Sequence, residues 1–353
     1  MKIFHCDHCG QLVYFENTRC VACGTALAYL PDVADMGSLE PAGANLWKRK
    51  NGAVYRRCLN DLEHSVCNWA IPAGGDEEFC VSCRLNRTIP DLTKPANVEA
   101  WAQLETAKRR LIYSLLQLAL PVAPKSEADP HGLAFEFLED QNDQPVLTGH
   151  ADGVITLNIA EADDAERERR RTSLEEPYRT ILGHFRHEIG HYYWDCLIRD
   201  SARLEQFRTL FGDERESYAD ALQRHYDSGP APDWRERFLS AYASAHPWED
   251  WAESWAHYLH MTDTLETAAE CGLALQPSRP DAPKLDPAHV AGTTAFDQML
   301  LAWFPLTHVL NILNRGLGLR DPYPFVIPAP AIEKLRFVHD TARAGTPSER
   351  TSE

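Results

Sequence analysis

Eight of the ten cysteines lie within the first 83 residues, and their spacing restricts what that stretch can become. Cys6-x2-Cys9-Gly10 and Cys20-x2-Cys23-Gly24 are two matched knuckles. Each turns two thiolates toward one point, and the glycine supplies the positive φ that closes the turn. Two such turns complete a tetrahedral four-sulfur site with no open position, the donor set of a structural zinc. A segment of about 30 residues cannot hold itself together by apolar burial alone, so the metal stands in for a core. Residues 1–30 are therefore expected to form a small β zinc ribbon. A second set, Cys58, Cys67, Cys80 and Cys83, is less regular, and only Cys80-x2-Cys83 keeps knuckle spacing. A second structural zinc is expected there, with His64 as an alternative ligand. Redox chemistry is the other common use of C-x-x-C, but the doubled motif favours metal. Cys196 and Cys271 stand alone and are expected to be buried thiols.

Residues 187–191 read His-Glu-Ile-Gly-His. On a helix, positions i and i+4 share a face, so His187 and His191 can offer two imidazole nitrogens to one ion. Glu188 is rotated about 100° from His187, which sets its carboxylate beside the metal, where a general base must stand to take a proton from water. Ser173 and Glu176 fit a capping box and Pro177 a first turn, so the helix is expected to begin there. Ile181, Phe185, Ile189, Tyr192 and Cys196 recur as a core stripe, leaving His184, His187, His191 and Asp195 on the polar face.

A catalytic zinc takes three protein ligands and keeps one position for water. The best source of the third is H-P-W-E-D-W-A-E-S-W-A-H-Y-L-H, residues 246–260. Pro247, with Glu249 and Asp250 behind it, marks a helix start. Glu249, Glu253 and His257 then share one face, while Trp251, Trp255 and Leu259 line an apolar one. Asp195 is the rival ligand. It lies two turns along from His187, ~12 Å by helix rise, too far to join both histidines on one ion. It is read as a residue that supports a ligand or forms an ion pair.

H-E-I-G-H followed by E-D-W-A-E resembles the gluzincin group of zinc metallopeptidases. More closely, the chain is similar to the bacterial zinc-binding metallopeptidase family that carries an N-terminal zinc ribbon. Its densest stretches are T-G-H-A-D-G-V-I-T-L-N (148–158), the helix around 187–191, and 246–260. The resemblance implies a zincin-like domain that hydrolyses peptide bonds with a metal-activated water. In lethal-factor-type gluzincins the first glutamate of the E-x-x-A-E run binds zinc and the second supports a ligand by a hydrogen bond. That implies Glu249 as ligand and Glu253 as support. A tyrosine seven positions before the ligand stabilises the oxyanion in those proteins, and Tyr242 stands there. The rival reading is a zinc-ribbon adaptor whose hydrolase-like domain binds a partner peptide without cleaving it. Glu188, a base that a pure binder does not need, weighs against it.

A formal net charge of −17 disfavours nucleic acid and anionic membrane, which call for a basic surface. The amino terminus, M-K-I-F-H-C-D-H-C-G, has no signal-peptide core. No apolar run is long enough to cross a bilayer: 111–123 is short and 299–313 is interrupted by Pro305. The chain is expected in the cytoplasm, where thiols stay reduced. The predicted organisation is a ribbon at 1–30, a linker at 31–45, a second four-cysteine module at 46–95, a zincin-like domain at 96–340 and a disordered tail at 341–353. The class is α+β, with small β zinc modules followed by a small sheet and a mostly helical remainder. A helix at 97–120 is read from Val98, Trp101, Leu104, Leu111, Leu115 and Leu118. Strands are predicted at 133–138 and 153–159, the second as an edge strand that could take up an extended peptide. Residues 215–226 should form a helix that braces the site, and the arginine run at 167–171 a solvated segment. Three zinc ions, one catalytic and two structural, a peptide or protein substrate and a protein partner at the ribbon complete the expectations.

Overall fold

The computed structural model describes residues 1–140, 146–173, 176, 178–286 and 295–344. Its contacts divide the chain into two compact bodies. One comprises Lys2–Tyr113 and Val122–Glu166, the other Ser114–Pro121 and Arg167–Glu353 together with Met1.

In the first body, β1 (Phe4–His5) and β2 (Leu12–Val13) pair antiparallel across the first knuckle. Gly10 and Gly24 close the knuckles at φ 78° and 74°, with nothing within 4 Å of where a Cβ would stand. Left-handed backbone, not crowding, is what requires glycine there. An antiparallel five-stranded sheet follows in chain order: β3 (Ala26–Leu30), β4 (Asp35–Gly43), β5 (Leu46–Arg49), β6 (Val54–Arg57) and β7 (Ala70–Pro72). Leu30, Leu39, Tyr55 and Ala70 pack together as its core. The segment 31–45, expected as a linker, instead supplies β4, which pairs with β3 on one side and β5 on the other. One sheet thus joins the ribbon to the second cysteine module. Phe15, Tyr29, Trp69 and Tyr113 meet edge-on or tilted, with ring centroids as close as 4.8 Å.

The short helix α1 (Leu59–His64) starts beside Cys58, and the long helix α2 (Pro95–Gln117) buries Trp101, Leu104, Leu111 and Leu115 as the periodicity requires. A second sheet has the order β10-β11-β9-β8, from β8 (Asn86–Thr88), β9 (Ala134–Leu138), β10 (Gly149–Ala151) and β11 (Val154–Asn158). The strand expected at the edge, β11, lies inside. A tight turn at Asp152 and Gly153 (φ 48° and 75°) folds β10 back onto it, so β10 and β8 are the edges. Helix α3 (Asp164–Ser173) carries the arginine run, with Arg171 paired to Glu168.

The second body is mostly helical: α4 (Ile181–Leu197), α5 (Leu204–Phe211), α6 (Tyr218–Ser228), α7 (Trp234–Arg237), α8 (Pro247–Glu270), α9 (Phe296–Gly316) and α10 (Ala329–Ala344). The capping box expected at 173–176 does not start α4. Ser173 ends α3, Pro177 lies outside the described residues, and Thr180 is the cap, its Oγ1 accepting from Gly183 N at 3.0 Å. Pro305 lies inside α9 without ending it, and none of the described helices is long and apolar enough to cross a membrane. Residues 341–344, expected in the disordered tail, belong to α10, and 345–353 lie outside the described residues. Cys196 and Cys271 are exposed, not buried. Cys196 is the next-to-last residue of α4, and Cys271 caps the end of α8.

Candidate metal centre

The site depends on how closely α4 and α8 approach. A Cβ on Gly190 would stand 3.0 Å from Ala252 Cα and 3.1 Å from Trp255 Cβ, so the glycine of H-E-I-G-H gives the second helix room. Trp251 Nε1 donates to Gly190 O at 2.8 Å and pins the crossing. Helix α8 is begun by Pro247 behind His246, whose Nδ1 accepts from Trp248 N. Its first turn is anchored by a buried ion pair, Asp250 to Lys334 of α10, at 2.6 Å. Burial pushes the Asp250 carboxyl up to about 7 against the pull of Lys334.

This crossing brings His187, His191 and Glu249 together, with one donor atom from each lying within 4.8 Å of the others. His187 Nε2 is 2.9 Å and His191 Nε2 3.7 Å from Glu249 Oε2. Glu253, one turn along α8, takes the far side of His187: Nδ1 is 2.8 Å from Oε1. Ser240 Oγ donates to the other oxygen of Glu253 at 2.6 Å. Burial opposes charge on His187, yet Glu249 and Glu253 hold its pKa well above the ordinary range. Burial likewise opposes charge on Glu249, and His191 and His187 hold that carboxyl well below its usual range.

Glu188 is 9% exposed and makes no hydrogen bond to the described residues. Burial raises its pKa, against the lowering effect of His187 and His191. Tyr242 lies in a short 3₁₀ turn with its ring 6.0 Å from that of His187, and burial and the charge of Glu249 raise its phenol. Asp195 stands outside the donor group and pairs with Arg199, just past the end of α4. His257 shares the α8 face with both glutamates but bonds to Tyr323 (Nδ1 to Oη, 2.8 Å) and is not among the donors.

Two contacts were not read from the sequence. Tyr218 opens α6 and donates from its hydroxyl to Glu249 Oε1 at 2.6 Å, and Ser240 reaches Glu253. The helix over 215–226 was legible as a brace, but which of its side chains meets α8 is set by tertiary approach.

The profile of the family described as "Putative zinc-binding metallo-peptidase" matches residues 97–341. The chain belongs to that family. A zinc-ribbon domain profile matches residues 3–94. Proteins of Mycobacterium bovis and of two Mycobacterium tuberculosis strains, all described as uncharacterized, are each 45% identical over 340 residues, covering 96% of this chain and 94% of theirs. No solved structure matches.

The ribbon region of this family member gathers its cysteines as the spacing requires. Cys6, Cys9, Cys20 and Cys23 form one group and Cys58, Cys67, Cys80 and Cys83 another, each with sulfurs within 4.8 Å of one another. His64 is not in the second group. It packs its ring against Trp101.

Proposed function

We propose that the chain is a zinc-dependent metallopeptidase of gluzincin type, with His187, His191 and Glu249 holding the ion and Glu188 moving the proton. One arrangement carries this reading: three donors of a zinc set within 4.8 Å, beside a buried carboxyl with no hydrogen-bond partner among the described residues. The donor set fits the ion. Tetrahedral zinc with bonds of about 2.0–2.1 Å spaces its ligands about 3.4 Å apart, and the two imidazole nitrogens stand 2.9 and 3.7 Å from Glu249 Oε2. When bound, zinc would lower the pKa of a water in its open position to about 7 and polarise the scissile carbonyl.

The chain's own groups do the rest. Glu188 takes the water's proton on a carboxylate oxygen and returns it to the leaving amide nitrogen. Its burial-raised pKa suits a group that must act first as base and then as acid. Glu253 accepts the Nδ1–H of His187, which turns the Nε2 lone pair toward the donor group, and Ser240 fixes Glu253 in turn. Tyr218 occupies Glu249 Oε1 and leaves Oε2 for the ion. Tyr242 stands near enough to His187 to serve as the hydroxyl that meets the developing oxyanion. A reducing compartment such as the cytoplasm suits a chain whose eight clustered thiols must stay reduced to hold metal.

Glu188→Gln tests the reading. It keeps the size of the side chain and all three ligands, and hydrolysis should fall by at least the ~10²–10⁴-fold that general acid–base catalysis contributes, with zinc content unchanged. Fully metallated native protein that leaves a broad peptide library intact would favour the adaptor that binds peptides without cleaving them.

A further inference from the structure

We infer that Arg109 of α2 is the buried counter-ion of the second four-cysteine site, so that a helix of the peptidase region completes a metal site of the ribbon region. The inference does not depend on the catalytic reading above.

The two cysteine sites have the same donors and different surroundings. In the first, Cys9 and Cys23 are exposed, so water can solvate the charge. In the second, all four cysteines are buried, none more than 2% exposed. Four thiolates around one Zn²⁺ leave two net negative charges, and burying an uncompensated charge is strongly unfavourable. Backbone N–H groups of Trp69, Cys80 and Cys83 point at Cys67, Cys58 and Cys80 sulfurs at 3.4 Å and spread part of that charge. They do not cancel it.

The charged neighbours are nearly all engaged elsewhere. Glu105, whose Oε2 lies 4.0 Å from Cys83 Sγ, adds to the negative charge and is paired with Lys108 at 2.8 Å. Asp61 is paired with Arg57. Arg109 remains. It is 5% exposed, and its hydrogen bonds go to neutral acceptors, Val66 O and Thr106 Oγ1. Val66 is the residue before Cys67, so the guanidinium is held at the backbone next to one of the four cysteines. Among the described residues no carboxylate is hydrogen-bonded to it, so the buried guanidinium meets its negative partners through space: the thiolates, Glu105 and Asp61. Burial works against the charge on Arg109, and Cys67, Glu105, Cys83 and Cys80 together hold it in place. Arg109 lies inside the matched peptidase region, 97–341, whereas the cysteines lie inside the ribbon region, 3–94.

The test is thiol alkylation of the zinc-loaded full chain by iodoacetamide, followed by peptide mass mapping, which reads each cysteine separately. In the native protein the exposed, unclustered Cys196 and Cys271 should react first and the exposed Cys9 and Cys23 next, whereas Cys58, Cys67, Cys80 and Cys83 should be protected. Arg109→Met keeps length and removes charge, and it should speed alkylation of the second set by the ~10–100-fold typical of losing a group that supports a metal ligand. Arg109→Lys keeps charge without the planar fork and should stay close to native. Arg110→Met, which removes an exposed side chain paired with Glu16, should change nothing. Native-like protection in Arg109→Met would overturn the inference. So would an Arg109→Lys protein as reactive as Arg109→Met, because geometry at Val66 and not charge would then be what matters. If Arg109→Met does not fold, the lysine variant decides alone, since only a charge role predicts that it keeps the metal.

Discussion

Removing Glu253 should weaken metal binding at the histidine site without abolishing it. The carboxylate touches no other donor of the cluster than His187, through a 2.8 Å contact to Nδ1, and is itself held by Ser240 at 2.6 Å. In Glu253→Ala, His187 keeps Nε2 beside Glu249 but loses the group that fixes its tautomer and ring angle. One charge-assisted hydrogen bond contributes about 1.5–3 kcal/mol, which agrees with the ~10–100-fold fall in affinity, about 1.4–2.7 kcal/mol, usual for such a loss. Glu253→Gln keeps an acceptor without the charge and should fall between native and alanine. Ser240→Ala should do less than either, because it disturbs the orienting residue rather than the ligand. Glu249→Ala removes a donor and should empty the site. The assay is competition against a chromogenic chelator, with metal analysis confirming that both cysteine sites stay filled. Glu253→Ala that binds as tightly as native protein would remove Glu253 from its supporting role, and Glu249→Ala that binds more tightly than Glu253→Ala would reverse ligand and support.

Metal analysis of reconstituted protein should find three zinc ions per chain, with the histidine-site ion lost first to mild chelation because it alone has an open position; one zinc or none would contradict the count. Gly190→Ala places a methyl 3.0 Å from the Ala252 backbone. The ~1 kcal/mol gained in helix propensity should be outweighed by about 1–3 kcal/mol of overpacking, so melting temperature and zinc affinity should both drop, and a stabilised variant would show that α4 and α8 are not in tight contact. His257 is held down to about 4 by burial, below its ordinary 6.5. The unfolded chain therefore binds this proton first as pH falls, and stability should decline from pH 6.5 toward 4 by about 3 kcal/mol in total, with no contribution above 6.5. His257→Asn, which keeps an acceptor for Tyr323, should flatten that part of the denaturation profile relative to native protein; parallel profiles would exclude the histidine as the cause.

The parts of the site that were legible are those fixed by spacing within one element. His187 and His191 must share a face of α4, and the knuckle pairs must converge, whatever surrounds them. Spacing puts Glu249 and Glu253 on one face of α8 alike, and only the resemblance assigns one the expected role of ligand and the other that of support. Tyr218 was out of reach, because its contact depends on where α6 lies against α8. Among the elements, β4 was hidden by its own composition. Residues 36–39 are buried in succession rather than alternately, and Pro41 and Gly43 read as turn signals. The start of α4 was misplaced because two caps compete within eight residues, Ser173 and Thr180, and the nearer one to the periodic stripe prevails.

Phe15 and Tyr29 sit in the ribbon, yet the rings that enclose them, Trp69 and Tyr113, are made much later. Tyr113 follows Tyr29 by 84 residues, which at ~5–20 residues per second is about 4–17 s of translation. All four ribbon thiols exist by residue 23. While the chain is growing, metal is therefore available to the ribbon before its aromatic enclosure is. A cell short of zinc during synthesis would present newly made chains with bare aromatic rings to chaperones and proteases, and zinc added after release would reach only those that escaped.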